Sequence, residues 1–265
     1  MTKSAAIEQN NTQKTQDQRL QTAFQKTVEE GRIRLERSWA SLIATGLVGG
    51  IDISFGVLAL LVIVEASGSR LLGALGFSIG FIAVTLAKSE LFTENFLVPV
   101  TAVFALKSKT FLALLRLWVV TAVMNLISGW FFAWLIVLAL PRLRQTAIES
   151  SAFFIGLSLS ESIALGVIAG AAITLMTWMQ HSSETEFGKI VAVVSAAFLL
   201  AAVPLNHVIV ASLEMFVALH AGAPFGYIEW MQVAAIATGA NMLGGLLLVT
   251  MLRLIQVVGA DVIEK

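Results

Sequence analysis

The chain has no cysteine among its 265 residues, which excludes disulfides, thiolate metal sites and cysteine catalysis while leaving the redox compartment open. Charge is also scarce: 13% of residues are charged against 57% hydrophobic, and the formal net charge is zero. Nucleic-acid binding therefore has no electrostatic basis. The polar start, Met1 to Asp17, lacks an apolar core and a cleavage pattern, so it reads as neither a signal peptide nor a span. No paired-histidine motif such as H-E-x-x-H occurs, and His207 alone of the histidines falls deep in an apolar tract. An intramembrane enzyme built on Glu90, Glu94, Glu214 and His207 is therefore disfavoured, and no metal or cofactor is expected.

What is present is long apolar tracts. They run roughly Ser38 to Val64, Leu71 to Leu106, Phe111 to Leu140, Phe153 to Gln180, Phe187 to Leu219 and Ile228 to Val258. Each is long enough to cross a bilayer, which takes about 20 apolar residues. The expectation is an all-α polytopic membrane protein with six transmembrane helices. A cytoplasmic segment would occupy residues 1–37, the channel domain 38–258 and a cytoplasmic tail 259–265. Six crossings put both termini on one face. Lys3, Lys14, Arg19, Lys26, Arg32, Arg34, Arg37, Lys107, Lys109, Arg116, Lys189, Arg253 and Lys265 fall on that face, against Arg70, Arg142 and Arg144 on the other. The positive-inside rule makes it cytoplasmic. Leu20, Phe24, Val28 and Leu35 recur at near-helical spacing, predicting an amphipathic helix that anchors at the interface or packs on a neighbouring subunit. Trp39, Trp118, Trp134, Trp178 and Trp230, near span ends, read as lipid-belt anchors.

Two internal similarities divide the chain. Ala44 to Ile53, with Gly46, Gly49 and Gly50, parallels Ala164 to Ile173, with Gly166, Ala169 and Gly170; Asn125-Leu-Ile-Ser128-Gly129 parallels Asn241-Met-Leu-Gly244-Gly245. Three crossings per half force the halves into opposite orientations, the inverted-repeat plan of many transporters. The second and fifth spans should then be equivalents, both interrupted. The second carries Lys88-Ser-Glu90-Leu-Phe-Thr93-Glu94-Asn95 and the fifth carries Pro204-Leu-Asn206-His207. Paired broken helices point to a binding site at the repeat interface.

Glu90-Leu91-Phe92-Thr93-Glu94-Asn95, His207 in the fifth-helix break, and Asn241 with Gly244 and Gly245 together resemble the formate/nitrite transporter family, in its divergent YfdC-like branch. The resemblance covers about Trp39 to Leu254. It implies an aquaporin-like fold with broken second and fifth helices, a homopentamer in a bacterial cytoplasmic (inner) membrane, and one pore per protomer for small monovalent anions. By the same resemblance Thr93 and His207 face each other at mid-pore, and Phe77, Phe81, Leu91, Phe92 and Leu200 form the constrictions. Asn241 would support the histidine.

Departures from the family pattern leave the solute open. Phe154 stands where a lysine is common, Gly170 where an asparagine is common, and Asn206 replaces the glutamate before the histidine. Lys88 stands where a small residue is usual, and Asp52 puts a carboxylate in the first span. Two transport readings follow, a weak-acid anion carried with a proton or a neutral or cationic small solute. Lys88 either lines the pore or is neutralised by Asp52, Glu90 or Glu94. Glu90 and Glu94 read as loop support, capping the broken helices or binding loop backbone donors. Asn125 and Asn241 tie helices together, and Asp52 and Glu214 each call for a salt bridge or a protonated packing role. His181 and His220 read as interfacial.

Overall fold

The computed structural model describes the backbone of residues 3–106 and 111–263 and the side chains of 18–106 and 111–257. The side chains of Lys3, Lys14, Lys107, Lys109 and Lys265, used in the charge count above, lie outside these residues.

The described backbone is all-helical. Helix α1 spans Lys3–Leu35, α2 Trp39–Ser67 and α3 Arg70–Ala87; a 3-10 turn at Phe92–Phe96 leads into α4, Val98–Leu106. Then come α5, Phe111–Ala139; α6, Arg144–Gly156; α7, Leu159–Ser182; α8, Glu186–Ala202; and α9, Val208–Ala221. Helix α10, Tyr227–Met242, passes through a π-helical stretch at Leu243–Met251 into α11, Leu252–Ile263. Helices α2, α3, α5 and α7, and the continuous Tyr227–Val257, are long and apolar enough to cross a membrane. Outward faces are apolar: Val119, Val123, Ile127 and Phe131 of α5 are exposed, while Thr121, Asn125 and Ser128 of the same helix are buried. This is the polarity that hydrocarbon surroundings favour, with polar side chains satisfied between helices.

Local sequence explains the main boundaries. Ser38 and Ser69 cap α2 and α3 by accepting from Ser41 N and Leu72 N. Ser158 and Glu161 form a reciprocal capping box at the start of α7. That box corrects the fourth apolar tract: Phe153 and Phe154 belong to α6, and α7 begins only at Leu159. Continuous hydropathy had merged two helices across the break at Gly156.

Helix α1 also differs from expectation. Ala23, Thr27, Arg34 and Leu35 are buried against the rest of the chain, and Leu20 and Phe24 pack on Leu97, Trp178 and Val257. Its apolar face is covered by its own subunit rather than by lipid. Two tryptophans turn inward as well. Trp178 is buried in that same cluster, and Trp118 donates its indole N–H to Asn95 O at 2.9 Å.

The contacts that position the centre run in matched pairs. Helix α2 packs on α3 and α5; α7 packs on α8 and α10; α3 packs on α8; α1 packs on α4 as α6 packs on α9. Close approach is required at Gly50, where an added Cβ would strike Asn125 O, and at Gly170, where it would strike Asn241 O. These glycines let α5 and α10 bring their asparagines inward.

Candidate functional site

Each interruption is held by one asparagine. Asn125 Oδ1 accepts from Phe92 N at 3.0 Å, and its Nδ2 donates to Glu90 O at 3.0 Å and Gly46 O at 2.7 Å. Asn241 does the same 116 residues on: Oδ1 accepts from Val208 N at 2.9 Å, and Nδ2 donates to Asn206 O at 2.9 Å and Gly166 O at 2.8 Å. A backbone that leaves a helix inside an apolar protein needs partners for its freed N–H and C=O groups, and these amides supply them. Both asparagines are fully buried with their amides spent on backbone. Asn241 thus clamps loop and helix backbone. Asn206 turns its amide N–H to Ser162 Oγ at 2.8 Å, and its Oδ1 is buried without a partner.

The two loops meet at Thr93 and His207. Thr93 Oγ1 lies 2.7 Å from His207 Nε2, and both residues are fully buried. His207 is the N-cap of α9, and its Nδ1 accepts from Val210 N at 3.3 Å. With Nδ1 accepting, the neutral ring carries its hydrogen on Nε2 and donates to Thr93 Oγ1. The Thr93 hydroxyl hydrogen is then free to donate elsewhere. Around the pair the five apolar candidates Phe77, Phe81, Leu91, Phe92 and Leu200 fall in one buried cluster. The Phe81 ring sits edge-on 6.4 Å from the imidazole and 5.8 Å from Phe77.

Charge is concentrated on the α1 side. Glu90, 2% exposed, pairs with Arg34 Nε at 2.9 Å and Arg37 Nη1 at 2.8 Å. Arg34 also binds Asn95 Oδ1 at 3.0 Å and the Glu30 carboxylate. Arg34 and Arg37 entered the sequence reading only as positive charge; the one local hint was Glu30 four residues before Arg34, a helix-face pair. Their partner loop is distant in sequence. Glu94 accepts from Leu91 N at 3.4 Å, closing the short turn from within. Asp52, half-buried in α2, accepts the Ser89 hydroxyl at 2.6 Å. Lys88 is paired with none of Asp52, Glu90 and Glu94, which have the partners just named, and it is exposed. Its φ of 59 makes it the left-handed C-cap of α3, a position that favours glycine.

Two histidines and the second buried acid are also placed. His181 sets Nδ1 2.8 Å from Thr177 O and Nε2 2.9 Å from Glu30, an arrangement in which both nitrogens donate only in the cationic form. It joins α7 to α1 rather than facing the interface. Burial pushes the Glu30 carboxyl up, but the His181 hydrogen bond and the Arg34 charge outweigh it and hold Glu30 well below the usual range. His220 stacks near Trp130, with ring centroids 4.8 Å apart. Glu214 accepts the Ser150 hydroxyl at 2.6 Å and lies 3.5 Å from Arg70. Among the described residues no cluster of three or more His, Cys, Asp and Glu could hold a metal ion.

Comparison with known proteins agrees with this geometry. Residues 21–255 match the family model described as "Formate/nitrite transporter". "Inner membrane protein YfdC" of Escherichia coli (strain K12) is 30% identical over 199 residues, 71% of this chain and 62% of that protein's length. "Uncharacterized transporter YrhG" of Bacillus subtilis (strain 168) is 25% identical over 240 residues, 86% of this chain and 89% of the relative. Among solved structures, an "FNT family ion channel" superposes with a TM-score of 0.75 at 14% identity, covering 88% of this chain and 96% of that one. A "Pentameric formate channel with formate bound" superposes with a TM-score of 0.68 at 20% identity, covering 82% and 96%. With the family model matched over most of its length, the chain belongs to the formate/nitrite transporter family.

Proposed function

We propose that this chain is a membrane channel or transporter for small monovalent weak-acid anions such as formate or nitrite, with a proton taking part through His207. The observation that carries the reading is the Thr93–His207 pair, where two helix interruptions held by equivalent asparagines meet. In this reading the chain makes six crossings in two inverted halves, with α3–α4 and α8–α9 as the broken second and fifth spans. The termini are cytoplasmic, and the protomers assemble as a homopentamer in the inner membrane. The formate channel that superposes on this chain is a pentamer with formate bound.

The chemistry follows from desolvation. Carrying a bare carboxylate-sized ion between apolar side chains costs on the order of 20 kcal/mol in the Born limit, and several after relaxation. Protonating an acid that titrates near ~4 costs about 1.36 kcal/mol per unit at pH 7, roughly 4 in all. The neutral acid therefore passes Phe77, Phe81, Leu91, Phe92 and Leu200 at lower cost. Lys88 supplies an attractive field at the α1-side mouth. The Thr93 hydroxyl binds the permeant oxygen.

His207 relays the proton in a sequence that the hydrogen bonds constrain. Nδ1 gives up its long bond to Val210 N and takes a proton from the aqueous phase, the proton that is carried with the anion; Nε2–H passes to Thr93 Oγ1 as the Thr93 hydroxyl proton passes to the anion. The ring is left neutral with its hydrogen on Nδ1. Proteoliposome flux of formate, nitrite and acetate at several pH values tests this with His207→Asn, which keeps an N-cap acceptor for α9. Flux should fall and lose its pH dependence; equal rates and profiles in the two proteins would remove the relay.

A second reading, a neutral or cationic small solute, draws on Asn206 Oδ1, a buried acceptor without a donor. Ammonium or neutral-solute flux without anion flux in the same vesicles would select it.

A further inference from the structure

Beside the 88–95 loop, a cavity of about 510 Å³ opens between α1 and the ends of α3, α7 and α8, with Glu90, Glu94 and Val84 in its walls. A water molecule occupies about 30 Å³ of liquid, so the cavity far exceeds the need of an ion of three or four heavy atoms. Cations reach it from several elements: Lys26 from α1, Arg37 just beyond α1, Lys88 from the end of α3 and Lys189 from α8. Three carboxylates share the walls, and each is engaged. Glu30 binds Arg34 and His181, Glu90 binds Arg34 and Arg37, and Glu94 accepts from Leu91 N. Lys189 is paired with Glu186 at 2.6 Å. Lys26 and Lys88 are exposed, and neither makes a contact ion pair among the described residues, although the Lys88 charge is near enough to Glu186 to help the Lys189 hydrogen bond hold that carboxyl below its usual range.

We propose that this cavity is a binding site for a polyvalent oxyanion, a tricarboxylate or phosphate-bearing solute, which closes the pore from the α1 face. Two ammonium groups on separate helices, neither in a contact ion pair, can both be engaged by one ligand carrying two or more anionic groups, and charge-assisted bonds are the stronger kind. A monovalent ion neutralises only one of them. A polyvalent anion cannot continue inward, because one proton leaves it charged and each remaining charge meets the full desolvation cost at Phe81, Leu91 and Phe92. It lodges in the wide part. Among the described residues the opposite face has no matching pair of cations without ion pairs: the Arg70 guanidinium binds Ala201 O at 2.9 Å, Ser150 Oγ at 2.6 Å and Glu214, and Arg142 is paired with Glu65, which leaves Arg144 alone. Closure is therefore one-sided.

The blocking consequence rests on the transport reading; the binding does not. Citrate titrated calorimetrically into the detergent-purified full chain, at constant ionic strength, should bind the parent. The double variant Lys26→Gln/Lys88→Asn should bind roughly tenfold more weakly or worse. Asparagine is chosen at 88 because it tolerates the left-handed conformation. Absent binding, or equal affinity in parent and variant, would overturn the site. In proteoliposomes, citrate on the α1 face should inhibit formate flux and citrate on the other face should not; inhibition from both faces alike would also overturn it. Lysine-dependent citrate binding by a protein that carries no anion would sustain the site and remove the transport reading instead.

Discussion

At the residue scale, each polar group in the centre has a definable task, and its removal has a calculable cost. Asn241→Leu strands Val208 N–H and Asn206 C=O, both buried, and removes a second bond from Gly166 C=O, which keeps its place in the α7 ladder. At about 1–3 kcal/mol for each unsatisfied group, the loss should reach at least about 2 kcal/mol. Thermal or denaturant unfolding in detergent should register it, and Asn125→Leu should cost a similar amount because its three bonds are equivalent. Lys88 poses the opposite case. A lysine at φ 59 carries roughly 1–2 kcal/mol of backbone strain that glycine would not. Lys88→Gly should therefore raise the melting temperature while weakening citrate binding and anion flux. A lower melting temperature would mean that the side chain holds the α3 end in place. Thr93 and His207 were singled out through the family resemblance, and Asn241 through its parallel with Asn125 in the internal repeat. Arg34 was not, since it sits 61 positions from Asn95 and on a helix whose charges also suit a solvated surface.

At the element scale, α1 is the piece whose position depends on charge. Its docking is held by Arg34 and Arg37 on Glu90 and by His181 on Glu30. The Glu30 carboxyl is held below its ordinary value of 4.5, so the bound state is favoured by the ionised form. That contribution is complete at pH values above 4.5 and is lost progressively as the pH falls below it. Amide hydrogen exchange along α1 should accordingly stay slow near neutrality and quicken in acid, and Glu30→Gln should show quick exchange already at pH 7. Unchanged exchange in the variant would mean that Arg34, Arg37 and the apolar contacts suffice. The amphipathic spacing of α1 was readable beforehand; its burial against α4 and α7 was not, because lipid, a neighbouring subunit and the chain's own helices all satisfy the same pattern. The start of α7 shows the same ambiguity. The polar dip at Ser158 to Ser162 is too short to end an apolar tract, and its meaning as a new helix start lies in the Ser158–Glu161 box.

At the scale of the whole molecule, the exposed apolar faces must meet lipid or other copies of the chain. Native mass spectrometry of the detergent-extracted protein is expected to show five protomers, and a monomer would remove the pentamer proposal. The sequence by itself determined that this is an all-helical, apolar chain, and it predicted two similar halves with interruptions at Lys88 to Asn95 and Pro204 to His207. Those features are local: hydropathy, small-residue spacing and the missing proline donor act within a few turns of helix. Only the tertiary structure decided which groups answer one another. It set Thr93 against His207, gave Glu90 to Arg34 of α1 and Arg37 just beyond it rather than to Lys88, and turned both asparagines onto backbone. Pairings between buried polar groups depend on which helices touch. In a chain so apolar, many helix arrangements bury similar area, and the choice among them rests on a few close approaches and hydrogen bonds that no single segment contains.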